Sequence, residues 1–70
     1  MTAIQFEATA SELGWRWSAR SGGRKFHITA SFDFPDEFVV WRESYDGEKI
    51  PFDNVSSLWK AQQIVAEKIN

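Results

Sequence analysis

The sequence predicts an α+β fold, an antiparallel β-meander of three to four strands with one C-terminal amphipathic helix packed on one face. Apolar and polar residues alternate over residues 26–34, which is typical of a half-buried strand. The dipeptides Gly22-Gly23 and Asp46-Gly47 favour tight hairpin turns between strand-like segments. After residue 54 the apolar residues recur at helical spacing. Hairpins joined by such short turns give a meander, and the helix would cover one side of it.

The residue counts bound both size and chemistry. The chain has 70 residues, no cysteine and one histidine, so it fits a single domain over 1–70 and excludes folds of about 150 residues or more. Hydrophobic residues are 43% and aromatic residues 16%, enough for a small core without disulfides. No apolar run reaches the roughly 20 residues that span a bilayer, and the N-terminus lacks a signal-peptide pattern. We therefore expect a cytoplasmic protein with no membrane contact, cofactor or metal.

The N-terminal third contains two strand-like segments. Residues 3–8 alternate and are interpreted as a strand. Residues 9–14 are interpreted as a turn or short helix, because Thr9 and Glu12 have capping-box spacing and Gly14 could end the helix. Residues 15–20 are the next strand, with two Trp on one face and two Arg on the other.

Turn residues delimit the remaining elements. Pro35-Asp36 ends the strand over 26–34, and residues 38–45 are β-branched and aromatic, as in a further strand. Residues 48–52 form a short return strand, which Pro51 places at a sheet edge because it cannot donate to a ladder. Asp53 or Ser56 would then cap a helix of about 13 residues.

Catalytic and metal-binding patterns are missing from the sequence, so we expect no enzyme. A serine nucleophile needs a nearby base, and His27 is the only histidine beside seven serines. Its strand position places it opposite Phe26 and Ile28, on the outward face. Most acids lie in turns or at solvated positions rather than in a cleft. Asp46-Gly47-Glu48 lacks the other oxygen ligands of a calcium loop, and Gly22-Gly23 precedes a strand instead of a phosphate-binding helix.

Charged residues are segregated along the chain. Residues 14–30 carry four cations and no acid, whereas residues 33–53 carry seven acids and two cations. The basic segment includes Trp15 and Trp17, and arginine with aromatic residues is a pattern of nucleic-acid binding. Because both Trp would face away from Arg16, we expect the pair to lie in the core. The acidic segment could imitate a phosphate backbone, or serve only solubility.

The strand over residues 38–45 carries large apolar side chains on both faces. Phe38 and Val40 face one side, while Trp41 and Tyr45 face the other. Either the N-terminal segment covers the second face, or Trp41 and Tyr45 form a binding patch, since exposed aromatic patches usually mark contacts.

The leading prediction is a non-enzymatic protein-binding module, a small inhibitor or adaptor that occludes a larger protein or nucleoprotein complex. Its aromatic anchors and acidic rim would be Trp41, Tyr45, Asp33, Asp36, Glu37 and Glu43. The alternative is a small nucleic-acid-binding domain that uses Arg16, Arg20, Arg24 and Lys25. A homodimer formed through the exposed sheet face overlaps with the first prediction.

Residues 46–61 (DGEKIPFDNVSSLWKA) resemble a pattern in small β-meander-plus-helix proteins, many of them from bacteriophages. In that pattern a DG hairpin leads into a P-F dipeptide, a polar cap and an Ala-containing helix. Several anti-CRISPR and other counter-defence proteins are similar in size, acidity and layout. The resemblance implies a phage or mobile-element inhibitor and assigns no binding residue. The double-stranded-RNA-binding domain fits less well, because residues 55–60 (VSSLWK) lack its basic cluster.

Overall fold

The computed structural model describes residues 4–69, which form five antiparallel strands and one C-terminal helix. The elements are β1 (Glu7–Ala10), β2 (Gly14–Ser21), β3 (Arg24–Ser31), β4 (Phe34–Glu43), β5 (Lys49–Val55) and α1 (Leu58–Ile69). The strands lie in the sheet in chain order. The α+β class, the antiparallel sheet and the C-terminal helix are confirmed. The predicted count of three to four strands is too low, because all five strand-like segments of the sequence form strands, with β1 at one edge.

The segment over residues 9–14 forms a strand end and a turn rather than a helix. The Ser11 N–H donates to the Gly14 carbonyl oxygen at 2.8 Å. The N–H groups of Leu13 and Gly14 both approach the Ser11 hydroxyl oxygen at 3.3 Å. These bonds close a hairpin in which β1 pairs with β2, so pairing with β2 overrides the local capping-box signal. Of the strand predicted over residues 3–8, residue 3 lies outside the described residues and β1 begins at Glu7.

Both glycine turns form as predicted. Ser21 pairs with Arg24 across a two-residue turn, in which Gly22 and Gly23 have φ angles of 57° and 83°. Gly47, with φ of 90°, lies in the turn between β4 and β5. Left-handed backbone is accessible to glycine without steric cost, so these residues set the strand directions.

The hydrophobic core lies between one sheet face and α1. Ile28 on the central strand β3 and Val40 on β4 are fully buried, as is Val65 on α1. Trp17 is half-buried against this core, and Trp15 stacks on it with ring centroids 6.1 Å apart while remaining 43% exposed. The expected core position of the Trp pair therefore holds for Trp17 more than for Trp15. α1 is too short and too polar to cross a membrane, and it is the one helix among residues 4–69.

Two register shifts shape β4 and β5. Ala30 pairs with Phe38 but Ser31 pairs with Phe34, so residues 35–37 have no partner on β3. The strand predicted over residues 26–34 therefore ends at Ser31, and Pro35-Asp36 lies in a bulge of β4 rather than between strands. The second shift leaves Phe52 unpaired on β5, where its ring meets Phe26 edge-on. β5 is an edge strand, as Pro51 predicted.

The sheet face opposite α1, here called the open face, is not covered by any described element. Ile4 and Phe6 pack against the core on the helix side, and β1 extends the sheet sideways. The N-terminal segment over residues 4–10 therefore does not cover the second face, which was one of the two alternatives for Trp41 and Tyr45.

Candidate functional site

One end of the sheet gathers two hairpin turns, because successive strands alternate in direction. The turn between β1 and β2 touches the turn between β3 and β4, where the Phe32 N–H donates to the Leu13 carbonyl oxygen at 2.9 Å. We call this end the acidic tip and define it as residues 12, 13 and 32–37. The start of α1 lies at the same end of the molecule, since α1 follows β5 directly.

Large apolar side chains are exposed at the acidic tip. Leu13 is 78% exposed, Phe32 59% and Phe34 60%. Trp15 and Trp59 lie near the same end, at the start of β2 and in the first turn of α1, and are also exposed. An apolar cluster of this kind, rimmed by polar groups, usually marks a protein contact.

The acids of the tip are displayed by the turn and the bulge. Asp33 lies in the turn between β3 and β4, and Asp36 and Glu37 lie in the unpaired stretch of β4. Glu12 adds a fourth exposed carboxylate from the neighbouring turn. The tip as defined contains no cation. Bulges are frequent where a strand must redirect side chains for function.

The structure brings together only part of the predicted protein-binding set. Asp33, Asp36 and Glu37 share the tip, whereas Glu43 lies at the other end of β4 and is bound to Lys25 and His27. Trp41 is half-buried on the open face, where its Nε1 donates to the Thr29 hydroxyl at 2.8 Å.

Tyr45 is fully exposed but lies in the turn after β4, away from the tip. Trp41 and Tyr45 therefore do not form one patch with the acids. The aromatic residues at the tip, Phe32 and Phe34, were missed because their spacing continues the alternation of a buried strand face. The signal that could have identified them is Asp33 between two Phe, since acids favour turns.

A hydrogen-bonded network crosses the open face from β2 to β4. Ser18 Oγ lies 2.9 Å from His27 Nδ1, and His27 Nε2 lies 3.1 Å from Glu43 Oε1. Lys25 Nζ lies 3.4 Å from the other oxygen of Glu43. The hydrogen bond from His27, helped by the Lys25 charge and opposed by partial burial, holds the pKa of Glu43 below its usual value. Because an ionised carboxylate only accepts, His27 donates to Glu43 from Nε2. In the neutral imidazole, Nδ1 then accepts the hydrogen bond that the Ser18 hydroxyl donates.

This order of hydroxyl, imidazole and carboxylate also occurs in serine hydrolases. Such enzymes additionally need N–H groups that are free to bind an oxyanion. Ser18 lies inside the sheet, paired with Glu7 on one side and His27 on the other, so its backbone belongs to the ladder. We therefore interpret the network as structural, tying three strands together. His27 lies on the open face as expected, yet it is only 9% exposed.

The four cations of the predicted nucleic-acid surface divide between the two faces. Arg16, Arg20 and Lys25 lie on the open face, since the register places Arg20 opposite Lys25 and Arg16 opposite Thr29. Arg24 instead donates to the Lys68 carbonyl oxygen at 2.8 Å, at the C-terminal end of α1. Arg20 and Lys25 also line an open cavity of about 560 Å³ beside the Ser18–His27 pair.

Residues 4–69 contain no cluster of three side chains suited to hold a metal ion. No protein-family model, curated protein or solved structure matches this chain.

Proposed function

We propose that this protein is a protein-binding module, a small inhibitor or adaptor that docks its acidic tip on a basic surface of a larger protein or nucleoprotein complex. The observation that carries the proposal is the exposure of Leu13, Phe32 and Phe34 amid four carboxylates. This retains the acidic docking surface expected from the sequence, and it replaces Trp41 and Tyr45 as anchors with the two Phe of the tip.

The apolar side chains would supply affinity and the acids would supply orientation. Full burial of a Phe side chain is worth about 1.5–3 kcal/mol, so two that are roughly 60% exposed offer about 1–2 kcal/mol each. Aromatic residues placed centrally are typical interface anchors. The surrounding carboxylates would speed association with a basic patch and reject acidic partners.

The acidic tip would suit a phage or mobile-element inhibitor that acts in the cytoplasm. Carboxylates spaced over turns and a bulge can occupy a surface that normally holds nucleic-acid phosphates. Occlusion of that surface needs no catalysis, and a small domain that presents one end is sufficient for it. The mechanism is therefore competition for a basic site on the target.

The experiment is a co-purification from the native host with the wild type and two tip variants. One variant is Phe32→Ser with Phe34→Ser, and the other is Asp36→Lys with Glu37→Lys. We expect both to lose partners that the wild type recovers in stoichiometric amounts. All four side chains are exposed, so their substitution should leave the fold intact by circular dichroism.

The matched control is Tyr45→Ser with Glu48→Lys, which removes an exposed aromatic ring and reverses an exposed acid at the opposite end. This variant should recover the partner at the wild-type level. Recovery of the same partner by both tip variants, or its loss only in the control, would contradict the proposal.

A further inference from the structure

The open face carries a row of cations that the acidic tip does not use. Arg16, Ser18 and Arg20 alternate along β2 and so point to the same side of the sheet. Arg20 follows Arg16 by four positions, which corresponds to about 13 Å along an extended strand. Both are exposed, and within residues 4–69 neither takes part in a salt bridge.

The open face has a net positive charge, because its cations outnumber its acids. Glu43 is already paired with Lys25 and His27, and its register partner on β5 is Lys49. Glu7, on the edge strand, is the other carboxylate of the face, opposite Ser18. Four cationic side chains therefore stand against two carboxylates. The face attracts anions although the whole chain has a net charge of -2.

An aromatic ring lies beside the arginine row. Trp41 belongs to β4, two strands away from β2, which is a distance of about 10 Å. The hydrogen bond from its Nε1 to Thr29 fixes the indole on the sheet surface, and the side chain is only half-buried. His27 and Thr29 on β3 lie between the ring and the arginine row, and Ser18 lies within that row between the two arginines, so the surface that joins them is polar.

We propose that the open face binds single-stranded nucleic acid, with backbone phosphates on Arg16 and Arg20 and a base stacked on Trp41. Proteins that bind single strands combine a basic track with aromatic stacking in this way. A single strand fits better than a duplex, because stacking needs an unpaired base and no described element protrudes from this face to enter a groove. The surface shares no residue with the acidic tip, so this inference stands apart from the proposed function.

The test is fluorescence anisotropy with a labelled 12-nucleotide oligothymidylate, titrated from 20 to 200 mM NaCl. Each phosphate contact with a single strand contributes about -0.7 to the slope of log K against log salt, so two contacts predict a slope near -1.4. The variant Arg16→Glu with Arg20→Glu should abolish binding, and Arg20→Ala alone should halve the slope. Trp41→Leu should weaken binding by about 5- to 150-fold, since stacking is worth about 1–3 kcal/mol per base.

The matched control is Lys60→Glu with Lys68→Glu on α1, which changes the net charge equally on the opposite side of the molecule. At 0.15 M NaCl, where charges more than about 8 Å apart are screened, it should bind as the wild type does, and so should the two acidic-tip variants. Absence of binding at 20 mM NaCl would overturn the proposal. Unchanged binding of the Arg16→Glu, Arg20→Glu variant would also overturn it, as would an equal loss of affinity in that variant and in the Lys60→Glu, Lys68→Glu control. Equal affinity for oligoglutamate of the same charge would also overturn it, because negative charge alone would then explain the binding and no base would be needed. Both arginines are exposed, so their variant tests the proposal even if Trp41→Leu fails to fold.

Discussion

The ionisation of Glu43 makes the stability of the folded protein depend on pH. Its carboxylate accepts from His27 and Lys25, and its pKa is lowered in the folded protein. A group whose pKa is lower when folded stabilises the protein above its unfolded pKa. That stabilisation is lost as pH falls through the folded value. The relevant range therefore begins near the ordinary carboxyl pKa of 4.5 and extends downward.

We predict that Glu43→Gln flattens the pH dependence of stability on the acid side. The free energy of unfolding of the wild type should fall as pH is lowered below about 4.5, and that of the variant should fall less steeply. Urea titrations at several pH values measure this. Asp46→Asn provides a second variant for comparison of the acid slopes. The pKa of Asp46 is also lowered, by hydrogen bonds from the Ser44 hydroxyl and the Glu48 N–H. Identical acid slopes for the wild type and Glu43→Gln would contradict the role of Glu43.

Ile28 is one of the three large side chains that are fully buried in the core, together with Val40 and Val65. It is fully buried between the sheet and α1. Ile→Ala changes at such sites cost about 2–5 kcal/mol, whereas Ile→Val costs about 0.5–1.5 kcal/mol. At about 0.05–0.15 kcal/mol per residue the whole domain has roughly 4–10 kcal/mol, so Ile28→Ala could remove half. Urea unfolding measures both variants, and a loss below 1 kcal/mol for Ile28→Ala would show that the core tolerates the cavity.

Among the elements, β2 begins at a glycine that lies in close contact with the backbone of β3. A Cβ on Gly14 would overlap the Ala30 carbonyl oxygen and lie 2.9 Å from Ser31 Cα. Both neighbours are backbone atoms of β3, which cannot move without disturbing the ladder. Glycine is therefore required here by space, whereas at Gly47 it is required only by its φ angle.

We predict that Gly14→Ala destabilises the protein more than Gly47→Ala does. Overpacking against backbone costs about 1–3 kcal/mol or more, while a left-handed φ in open space costs an L-residue about 1–2 kcal/mol. Thermal and urea unfolding of the two variants give the comparison. If Gly14→Ala were the milder change, the close approach of β2 to β3 would have to be wrong.

The sequence predicted those elements whose signals are local. Gly22-Gly23, Asp46-Gly47 and the apolar spacing of α1 each identified a turn or helix correctly. The two-residue turn at Gly22-Gly23 even implies that Ser18 faces His27, by counting back along both strands. The contact of His27 with Glu43 could not be counted in this way, because the bulge at residues 35–37 shifts the register of β4.

The same bulge explains why the sequence predicted the acids of the acidic tip but not its two exposed phenylalanines. The acids of residues 33–37 were identified from charge segregation, which needs no register. Phe32 and Phe34 were missed because alternation continues through a turn when the turn itself carries apolar residues. Where a strand stops is decided by pairing with neighbours distant in the sequence, and such pairing leaves no mark in local periodicity.

At the scale of the whole molecule, charge is arranged as a dipole. The acidic tip at one end has four carboxylates and no cation. At the other end, the cations Arg20, Arg24, Lys25 and Lys49 outnumber the acids Glu43, Asp46 and Glu48 by one. The longest dimension is 33 Å, comparable with the roughly 30 Å screening length at 0.01 M salt and well beyond the roughly 8 Å at 0.15 M. Opposite ends of two copies should therefore attract each other only in dilute salt.

We predict weak self-association at 0.01 M salt that disappears at 0.15 M, measured by light scattering over a concentration series. Asp36→Lys with Glu37→Lys should remove it, because two lysines beside Glu12 and Asp33 bring the net charge of the tip to zero. Glu48→Lys, an acid at the basic end, should strengthen it. Scattering that does not change with salt in any of the three proteins would show that the dipole is too weak to act between molecules.

The up-and-down course of the strands also decides where attachments can go. Gln5 and Phe6 line the same cavity as Arg20 and Lys25, and Lys68 near the end of α1 is held by Arg24. Residues 5 and 68 thus both lie far from Phe32. A dye, a bead or a biosensor surface coupled at residue 5 or residue 68 would leave the two exposed phenylalanines at the far end of the molecule, free to meet whatever is in solution.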